Sequence, residues 1–256
     1  MLRTRVIPCL LLDDGRLVKT RKFKKPTYVG DPINTVKIFN VKEVDEIIIL
    51  DIGASKRSKA PNFELVGEIA SECFMPMCYG GGIFSIDDAT RIFESGVEKI
   101  SIQSGAISNL KLIETIAHKY GSSSVVVSID VKKRWSGRHA MFASATGKKL
   151  SSNWEEFAMS AVNAGAGELL INSVDNDGEL NGLDTSLVSK ISNQVSVPVI
   201  ACGGVSSLDD MLAGAKAGAS AIGAGAFFVF QGPLRAVLIS YPKYEDLEQL
   251  FGSLDK

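Results

Sequence analysis

The sequence predicts an α/β protein that folds as a (βα)8 TIM barrel built from two half-barrel repeats. Three observations indicate this fold. Short apolar runs alternate with longer amphipathic stretches, a glycine-rich motif occurs twice at a fixed spacing, and the chain has a suitable length. Its 256 residues lie in the usual range for one such barrel. We therefore expect a single barrel domain over residues 1–256, with half-barrels at about 1–121 and 122–256.

Eight segments have the length and the apolar composition of β-strands. The aliphatic run at 47–50 is typical of a parallel strand, because such strands are buried on both faces. Amphipathic stretches between the runs predict helices. The predicted strands are Arg5–Leu12, Glu46–Ile52, Met75–Tyr79, Glu98–Gln103, Ser124–Asp130, Glu168–Ser173, Pro198–Cys202 and Ala219–Gly225. The clearest predicted helices are Asp87–Ser95, Leu112–His118, Glu155–Asn163 and Leu208–Ala217.

An internal repeat relates the two halves of the chain. Several residues of the first half recur with the same identity 122 positions later, and their alignment needs no gap. The recurring pairs are Glu46 and Glu168, Pro76 and Pro198, Gly82 and Gly204, Asp87 and Asp209, Asp88 and Asp210, and Gly96 and Gly218. The repeat predicts a barrel of two similar halves with approximate two-fold symmetry.

Two glycine turns, Gly80–Gly82 and Gly203–Gly204, each follow a predicted strand and precede a predicted helix. Glycine lets backbone N–H groups approach an anion closely, and the next helix N-terminus adds a favourable dipole. One strand later, each half has a turn of small residues, Gln103–Gly105 and Gly225–Ala226. Loops after strands seven and eight of such barrels commonly bind phosphate, and the repeat predicts a second site after strands three and four. An elongated ligand with a phosphate at each end fits this pattern, and tight turns without a ligand are the alternative.

Composition and charge argue against several functional classes. The formal net charge is −1, so no overall field favours nucleic acid. No apolar run approaches the ~20 residues that span a bilayer, and no signal-peptide pattern begins at Met1, so we expect a cytoplasmic protein without a membrane partner. The four cysteines lack metal-ligand spacing, and no metal site is predicted. We expect His118 and His139 to be exposed to solvent.

Eight short motifs, spread over nearly the whole chain, are similar to those of one protein family. They are Arg5-Val6-Ile7-Pro8-Cys9-Leu10, Gly15-Arg16-Leu17-Val18-Lys19, Gly30-Asp31-Pro32, Leu50-Asp51-Ile52, Tyr79-Gly80-Gly81-Gly82-Ile83, Ser128-Ile129-Asp130, Asn172-Ser173-Val174-Asp175-Asn176-Asp177-Gly178 and Cys202-Gly203-Gly204. In these motifs the chain resembles the cyclase subunit of imidazole glycerol phosphate synthase. In that family a glutaminase partner releases ammonia, which passes through the barrel. The cyclase subunit then uses it to split a bis-phosphorylated ribonucleotide into imidazole glycerol phosphate and a carboxamide ribonucleotide.

The resemblance implies a phosphorylated small-molecule ligand at the barrel mouth, and it implies no cofactor. Residues implied for one phosphate are Gly82, Gln103 and Ser104, and those for the other are Gly178, Gly204, Gly225 and Ala226. Further implied ligand contacts are Gly81, Gly203, Asp51 and Asp175. Ala226 stands where the family usually has serine, but backbone N–H donors survive that change.

The family's acid/base pair consists of two aspartates, one on the first strand and one on the fifth. Asp130 matches the second and is expected to point into the barrel mouth as a catalytic residue. Leu11 stands where the family has the first, and leucine can neither donate nor accept a proton. Asp13 is a candidate replacement on the same strand face, although it lies about 6.6 Å further along. Lys19, at the base of the next loop, is a third candidate catalytic residue.

Four charged residues lie where predicted strands begin: Arg5, Glu46, Lys99 and Glu168. The resemblance implies that they form a ring that gates an ammonia channel, on the N-terminal face where a class I glutaminase docks. Glu98, beside the ring, is expected to contact that partner. The alternative is that the four charges pair for stability alone, since buried charges are costly unless they are paired.

Two segments, Lys19–Pro26 and Phe228–Ile239, resemble a paralogous branch of the family that is linked to acetamidino-sugar synthesis for surface polysaccharides. The resemblance to that branch implies a separate sugar amidotransferase as a further partner. Retention of the charged ring without the first aspartate indicates that the ammonia route outlived the cyclase chemistry. The basic stretch Arg21–Lys25 is equally typical of a solvated mobile loop.

Several functions therefore stay open at the level of sequence. The preferred one is an ammonia-conducting barrel for sugar modification. The second is a working cyclase of histidine biosynthesis, in which Asp13 or a water replaces the lost carboxylate. A phosphosugar isomerase of the related half-barrel family is disfavoured, because isomerisation needs the first-strand aspartate and has no use for a charged gate. A purely structural scaffold is the last alternative.

Overall fold

The computed structural model describes residues 3–252 and 254, and within them eight parallel strands form a closed barrel. The barrel strands are β1 (Arg5–Asp13), β2 (Ile47–Asp51), β3 (Met77–Gly80), β4 (Lys99–Ile102), β5 (Val125–Lys133), β6 (Glu168–Ser173), β7 (Val199–Cys202) and β8 (Ala221–Ala224). Each strand pairs with the next along the chain, and β8 pairs with β1 to close the barrel. The predicted fold class is confirmed.

Helices lie between the barrel strands, and two more follow β8. They are α1 (Pro32–Val41), α2 (Ile52–Lys56), α3 (Phe63–Ser71), α4 (Ile86–Glu94), α5 (Ser104–Ser108), α6 (Lys111–Tyr120), α7 (Trp154–Asn163), α8 (Thr185–Ser192), α9 (Leu208–Lys216), α10 (Ala226–Val229) and α11 (Tyr244–Gly252). A turn of 3-10 helix, Ser122–Ser124, precedes β5. The four helices predicted from the sequence correspond to α4, α6, α7 and α9, with ends that differ by at most two residues.

The repeated Ser and Asp residues of the sequence motif have a structural reason. The Ser85 hydroxyl accepts a hydrogen bond from the Asp88 N–H, and the Asp88 carboxylate accepts one from the Ser85 N–H. Ser207 and Asp210 make the same reciprocal pair at the start of α9. Such a capping box satisfies backbone donors that a helix start otherwise leaves free. Both helices are therefore aligned in the same way behind their glycine turns.

Three hairpins extend from the end of the barrel where the strands finish. The first hairpin (Arg16–Arg21 with Lys24–Gly30) continues antiparallel from β1, and the second hairpin (His139–Ala143 with Lys148–Lys149) continues antiparallel from β5. The third hairpin (Phe230–Gln231 with Ala236–Val237) follows α10. The basic stretch Arg21–Lys25 forms the tip of the first hairpin and is largely exposed.

Apolar side chains fill two layers of the molecule. The larger layer packs the outer faces of the strands against the helices. The smaller one fills the barrel interior, as expected for this fold, and consists of Ile7, Cys9, Ile48, Cys78, Val126, Leu170, Ile200 and Ala221. In the described part of the chain, no helix is both long enough and apolar enough to cross a membrane.

Candidate active site

A cavity opens at the C-terminal ends of the barrel strands, and every barrel strand or the loop after it contributes to its wall. This is where catalytic groups of such barrels are found, because the eight loops converge there. Most of the residues that the sequence predicted for ligand binding line this mouth cavity. They are Lys19, Asp51, Gly81, Gly82, Gln103, Ser104, Asp130, Gly178, Gly203, Gly204, Gly225 and Ala226.

Asp130 is the most deeply placed carboxylate of the mouth cavity, with 5% of its surface exposed. Burial raises the pKa of Asp130 to about 7; the hydrogen bond from Gln103 opposes this rise and the nearby Asp177 adds to it. The Gln103 amide nitrogen donates to the Asp130 carboxylate at 2.6 Å. Asp130 is therefore poised to exchange a proton near neutral pH.

The Gln103 side chain holds Asp130 in place, and protein groups bind both ends of its amide. Its carbonyl oxygen accepts hydrogen bonds from the Ser144 hydroxyl at 2.5 Å and from the Ser144 N–H at 3.2 Å. Both ends of the Gln103 amide are thus engaged within the protein. This geometry leaves the backbone N–H groups of this turn, rather than the Gln103 side chain, as the candidate phosphate donors.

Leu11 lies in the mouth cavity at the position that corresponds to Asp130 in the other half of the barrel. Strand register carries this correspondence: Leu11 pairs with Leu50 on β2, and Asp130 pairs with Asn172 on β6. Leu50 and Asn172 are themselves separated by the repeat distance of 122. The wall of the cavity at this repeat-equivalent position is consequently apolar.

Asp13 does not line the mouth cavity among the described residues. Its carboxylate binds Arg57 Nη1 at 2.7 Å on the outer side of α2. The expectation that Asp13 replaces the missing aspartate does not fit this position, because an acid/base group must reach the reacting atoms. Asp13 follows Leu11 by two residues on β1, and this shift is enough to place its carboxylate outside the mouth cavity.

Lys19 lies in the mouth cavity, where the sequence motif alone did not reveal its partner. Its ammonium group binds the Asp177 carboxylate at 2.6 Å, and both side chains are more than nine-tenths buried. Asp177 also accepts a hydrogen bond from the Thr20 hydroxyl at 2.9 Å. This cluster fastens the first hairpin onto the loop after β6.

The sequence motif contains two aspartates after β6, and the structure separates their positions. Asp175, the one predicted to contact ligand, accepts a hydrogen bond from the Lys133 N–H at 2.7 Å and does not line the cavity within the described residues. Asp177 lines it instead. Alternation along a strand could not choose between them, because β6 ends at Ser173 and the loop that follows is irregular.

The two glycine turns need residues without a side chain. Gly82 has φ +73° and Gly204 has φ +108°, which is backbone that favours glycine. A Cβ atom at Gly204 would lie 2.1 Å from the Gly182 carbonyl oxygen, and one at Gly82 would lie 2.7 Å from the Lys59 carbonyl oxygen. Asp51, beside the first turn, accepts hydrogen bonds from the Gly53 and Ala54 N–H groups at the start of α2.

At the opposite end of the barrel, the four charges predicted to form a ring lie together. Arg5 contacts the carboxylates of both Glu46 and Glu168. Lys99 Nζ lies 3.0 Å from Glu46 Oε1 and 3.2 Å from Glu168 Oε2. Burial opposes protonation of Lys99, but the two glutamates outweigh it and raise the pKa of this lysine. Four ion pairs thus close the ring across the barrel axis.

Glu98 and His139 lie in surroundings that the sequence did not indicate. The Glu98 carboxylate accepts a hydrogen bond from the Met77 N–H at 2.8 Å, beside the ring. His139 is half-buried, with its Nε2 atom 3.2 Å from the Asp184 carboxylate, so the expectation of an exposed His139 is wrong. His118 is exposed. Among the described residues, no group of His, Cys, Asp or Glu side chains is arranged to hold a metal ion.

Comparison with known proteins identifies the family. A family model described as "Histidine biosynthesis protein" matches residues 5–234. A Pseudomonas aeruginosa protein, provisionally named imidazole glycerol phosphate synthase subunit hisF2, is 52% identical over 249 residues, which cover 97% of this chain and 99% of the relative. A Leptospira interrogans protein, provisionally named subunit HisF of the same synthase, is 45% identical over 98% of this chain and all of the relative. A Vibrio vulnificus protein with the provisional name hisF3 is 46% identical over 94% of each chain.

The chain belongs to the imidazole glycerol phosphate synthase cyclase family. Relatives that carry the numbered names hisF2 and hisF3 place it in a paralogous branch of that family. Within this chain, Asp130 lies in the mouth cavity, and Leu11 lies there at the repeat-equivalent position on the first strand.

The raised pKa of Asp130 leads to a measurable dependence of stability on pH. A carboxyl that titrates near 3.8 in the unfolded chain and near 7 in the folded one binds its proton more tightly when folded. Its contribution to stability is therefore present below about pH 4 and is lost as the pH rises through about 7, a loss on the order of 2–4 kcal/mol. We expect Asp130→Asn to remove this loss, so that the variant gains stability relative to wild type between pH 5 and pH 8. Urea denaturation of both proteins at the two pH values measures it, and equal pH dependence would contradict the expectation.

Proposed function

We propose that this chain is the ammonia-conducting barrel of a glutamine amidotransferase complex. It takes ammonia from a class I glutaminase on its N-terminal face and supplies it to acetamidino-sugar synthesis for surface polysaccharides. The observation that carries the proposal is an asymmetry between the two ends of the barrel. The charged ring at the base is complete, whereas the mouth has one carboxylate of the family's acid/base pair and a leucine at the other position.

Exposed apolar side chains at the base of the barrel support docking of a glutaminase there. Val41 and Phe74 are exposed apolar side chains there, and both adjoin Asn40, whose side chain bonds the backbone of the segment that carries Phe74. Apolar side chains beside charged ones are typical of the centre and rim of an interface. Above the ring the interior is lined by aliphatic side chains and thiols, which offer no charge to a passing molecule.

The mouth cavity supports a ligand with two phosphates. Its glycine turns after β3 and β7, and the turns at Ser104 and Ala226, line the cavity from opposite halves of the barrel. No side chain among the described residues caps the starts of α5 and α10. Backbone donors of this kind bind phosphate oxygens.

We expect inorganic phosphate or sulfate to bind near both pairs of turns. Crystals soaked in phosphate would show density at the Gly82/Ser104 turns and at the Gly204/Ala226 turns. Gly204→Ala, which introduces a methyl group against the Gly182 carbonyl, should abolish the second site and leave the first. Density at neither pair of turns in the wild-type crystals would count against a bis-phosphate ligand.

A functional cyclase of histidine biosynthesis is the second candidate. One observation favours it: Asp130 and Lys19 both lie in the mouth cavity, and Asp130 has a pKa suited to proton transfer near pH 7. An ammonia-dependent cyclase assay on the isolated chain, with the bis-phosphorylated ribonucleotide, separates the two functions. The proposal predicts little or no turnover there. It also predicts glutamine-dependent nitrogen transfer when the chain is combined with a glutaminase and a sugar amidotransferase.

A further inference from the structure

Several exposed apolar side chains lie around the barrel mouth, on or beside the hairpins. Trp135, at the turn that leads into the second hairpin, is completely exposed, and Leu234, in the turn of the third hairpin, is 93% exposed. Tyr28 on the first hairpin and Leu238 after the third are also exposed. Large aromatic and aliphatic side chains in open water mark interaction sites when they share one surface.

The hairpins that carry these side chains are joined into one surface. Phe23 of the first hairpin contacts Phe142 of the second, with ring centroids 6.0 Å apart. Arg21 binds Glu179 in the loop after β6 through two hydrogen bonds, and Arg235 of the third hairpin donates to the Gly178 carbonyl in the same loop at 2.9 Å. We call the surface formed by the three hairpins, the turn at 134–138 that leads into the second one, and this loop the mouth rim.

The mouth rim has an excess of positive charge. Several of its cations form no ion pair among the described residues, and they include Lys22, Lys24, Lys25, Arg134 and Arg138. Its carboxylates are fewer, and two of them are engaged, since Glu179 is held by Arg21 and Asp177 by Lys19. An acidic surface with apolar side chains at its centre is therefore the complementary partner.

We propose that the mouth rim is the docking surface for the protein that accepts the ammonia, and that the acceptor presents an acidic, apolar-centred face to it. This inference rests on the proposed function and names the surface through which the third component joins. The mouth is the end of the barrel away from the charged ring, so ammonia that traverses the interior leaves there. In bulk water near neutral pH it would be protonated and lose its nucleophilicity, so the acceptor must cover the exit.

A protein fits this surface better than a small ligand does. The exposed side chains belong to separate hairpins. Trp135 is completely exposed and does not line the mouth cavity, so no concave site encloses it there. Small-molecule sites are concave and bury most of their ligand. Protein interfaces instead use isolated tryptophan, tyrosine and arginine anchors, and the mouth rim offers all three.

The experiment measures binding of a purified sugar amidotransferase from the same organism to the barrel–glutaminase complex by surface plasmon resonance. A double variant, Trp135→Ala with Leu234→Ala, should weaken binding at least ten-fold. A second, Lys24→Glu with Lys25→Glu, should weaken it and reduce its dependence on salt. Met159→Ala, which removes an exposed apolar side chain on the flank at α7, is the matched control and should bind like wild type. Glutaminase binding should be unchanged in all of them.

The outcomes separate this inference from the proposed function. If wild type binds the amidotransferase and supports glutamine-dependent transfer, but the rim variants bind equally well, the docking surface is wrong and the proposed function stands. If wild type supports no transfer, the proposed function fails, and the docking surface fails with it. Binding of the rim to vesicles of phosphatidylglycerol and phosphatidylcholine, lost in the same variants while amidotransferase binding persists, would assign the surface to a membrane and overturn the inference.

Discussion

Leu11→Asp is expected to raise ammonia-dependent cyclase activity about 10²-fold or more above the wild-type level, because a positioned acid/base group contributes ~10²–10⁴-fold. The strand register supports this expectation, because it places Leu11 and Asp130 at equivalent positions in the two halves of the barrel. The new carboxylate would be half-buried at the edge of the mouth cavity, where water lowers the cost of its charge. Steady-state turnover of the bis-phosphorylated ribonucleotide with ammonia measures the effect.

Two controls show whether the gain comes from a carboxylate at that position. Leu11→Asn has nearly the same shape as the aspartate variant but cannot exchange a proton, so it should stay at the wild-type level. Asp13→Asn should leave the activity of the Leu11→Asp variant intact, because Asp13 is bound to Arg57 outside the cavity. Wild-type turnover of ~1 s⁻¹ or above, which is typical of enzymes, would contradict the prediction and favour a functional cyclase of histidine biosynthesis.

Lys99→Glu should uncouple the glutaminase from the acceptor by at least ten-fold, measured as glutamine-dependent nitrogen transfer relative to glutamine hydrolysis. The change places a third carboxylate against Glu46 and Glu168, which Lys99 otherwise holds at 3.0 and 3.2 Å. Like charges at such distances repel strongly when they are buried. The ring can then no longer close in its present form.

Folding should survive this change, because Arg5 still contacts both buried glutamates. A stability cost of about 3–5 kcal/mol is expected for breaking a buried pair, so transfer is measured well below the unfolding temperature. Lys99→Arg keeps the charge and serves as the matched control, with coupling near the wild-type level. If coupling in Lys99→Glu equals that of the control, the ring is a structural ion-pair cluster and not a gate.

Much of the fold could be predicted because it depends on local patterns. Apolar runs located the eight strands, and the repeat of Ser, Asp and Gly residues located the glycine turns and the capped helices behind them. Ends of strands were less accurate. The predicted eighth strand, Ala219–Gly225, is longer than β8 at both ends. Backbone pairing with β1 and β7 covers only Ala221–Ala224.

The candidate site was predictable where a residue lies on a regular strand, and less so where it lies in a loop. The family resemblance implied Asp130 and the ring residues, and their places on or beside regular strands fix which end of the barrel they occupy. The Lys19–Asp177 pair joins a hairpin to a loop 158 residues away in sequence, and no local pattern encodes such a contact. The partners of Gln103 and His139 were missed for the same reason, since Ser144 and Asp184 approach them only in the folded chain.

The charged ring carries two carboxylates and two cations, so at its own radius it is electrically neutral. An ammonium ion that reaches it from the base finds no net attraction, and the aliphatic interior beyond it would cost that ion most of its hydration energy. Uncharged ammonia loses far less hydration free energy on entering the same interior. Under the function that we propose, the barrel axis would therefore select the unprotonated form, and the flux through it should follow the concentration of ammonia rather than the total concentration of ammonia and ammonium at the entrance.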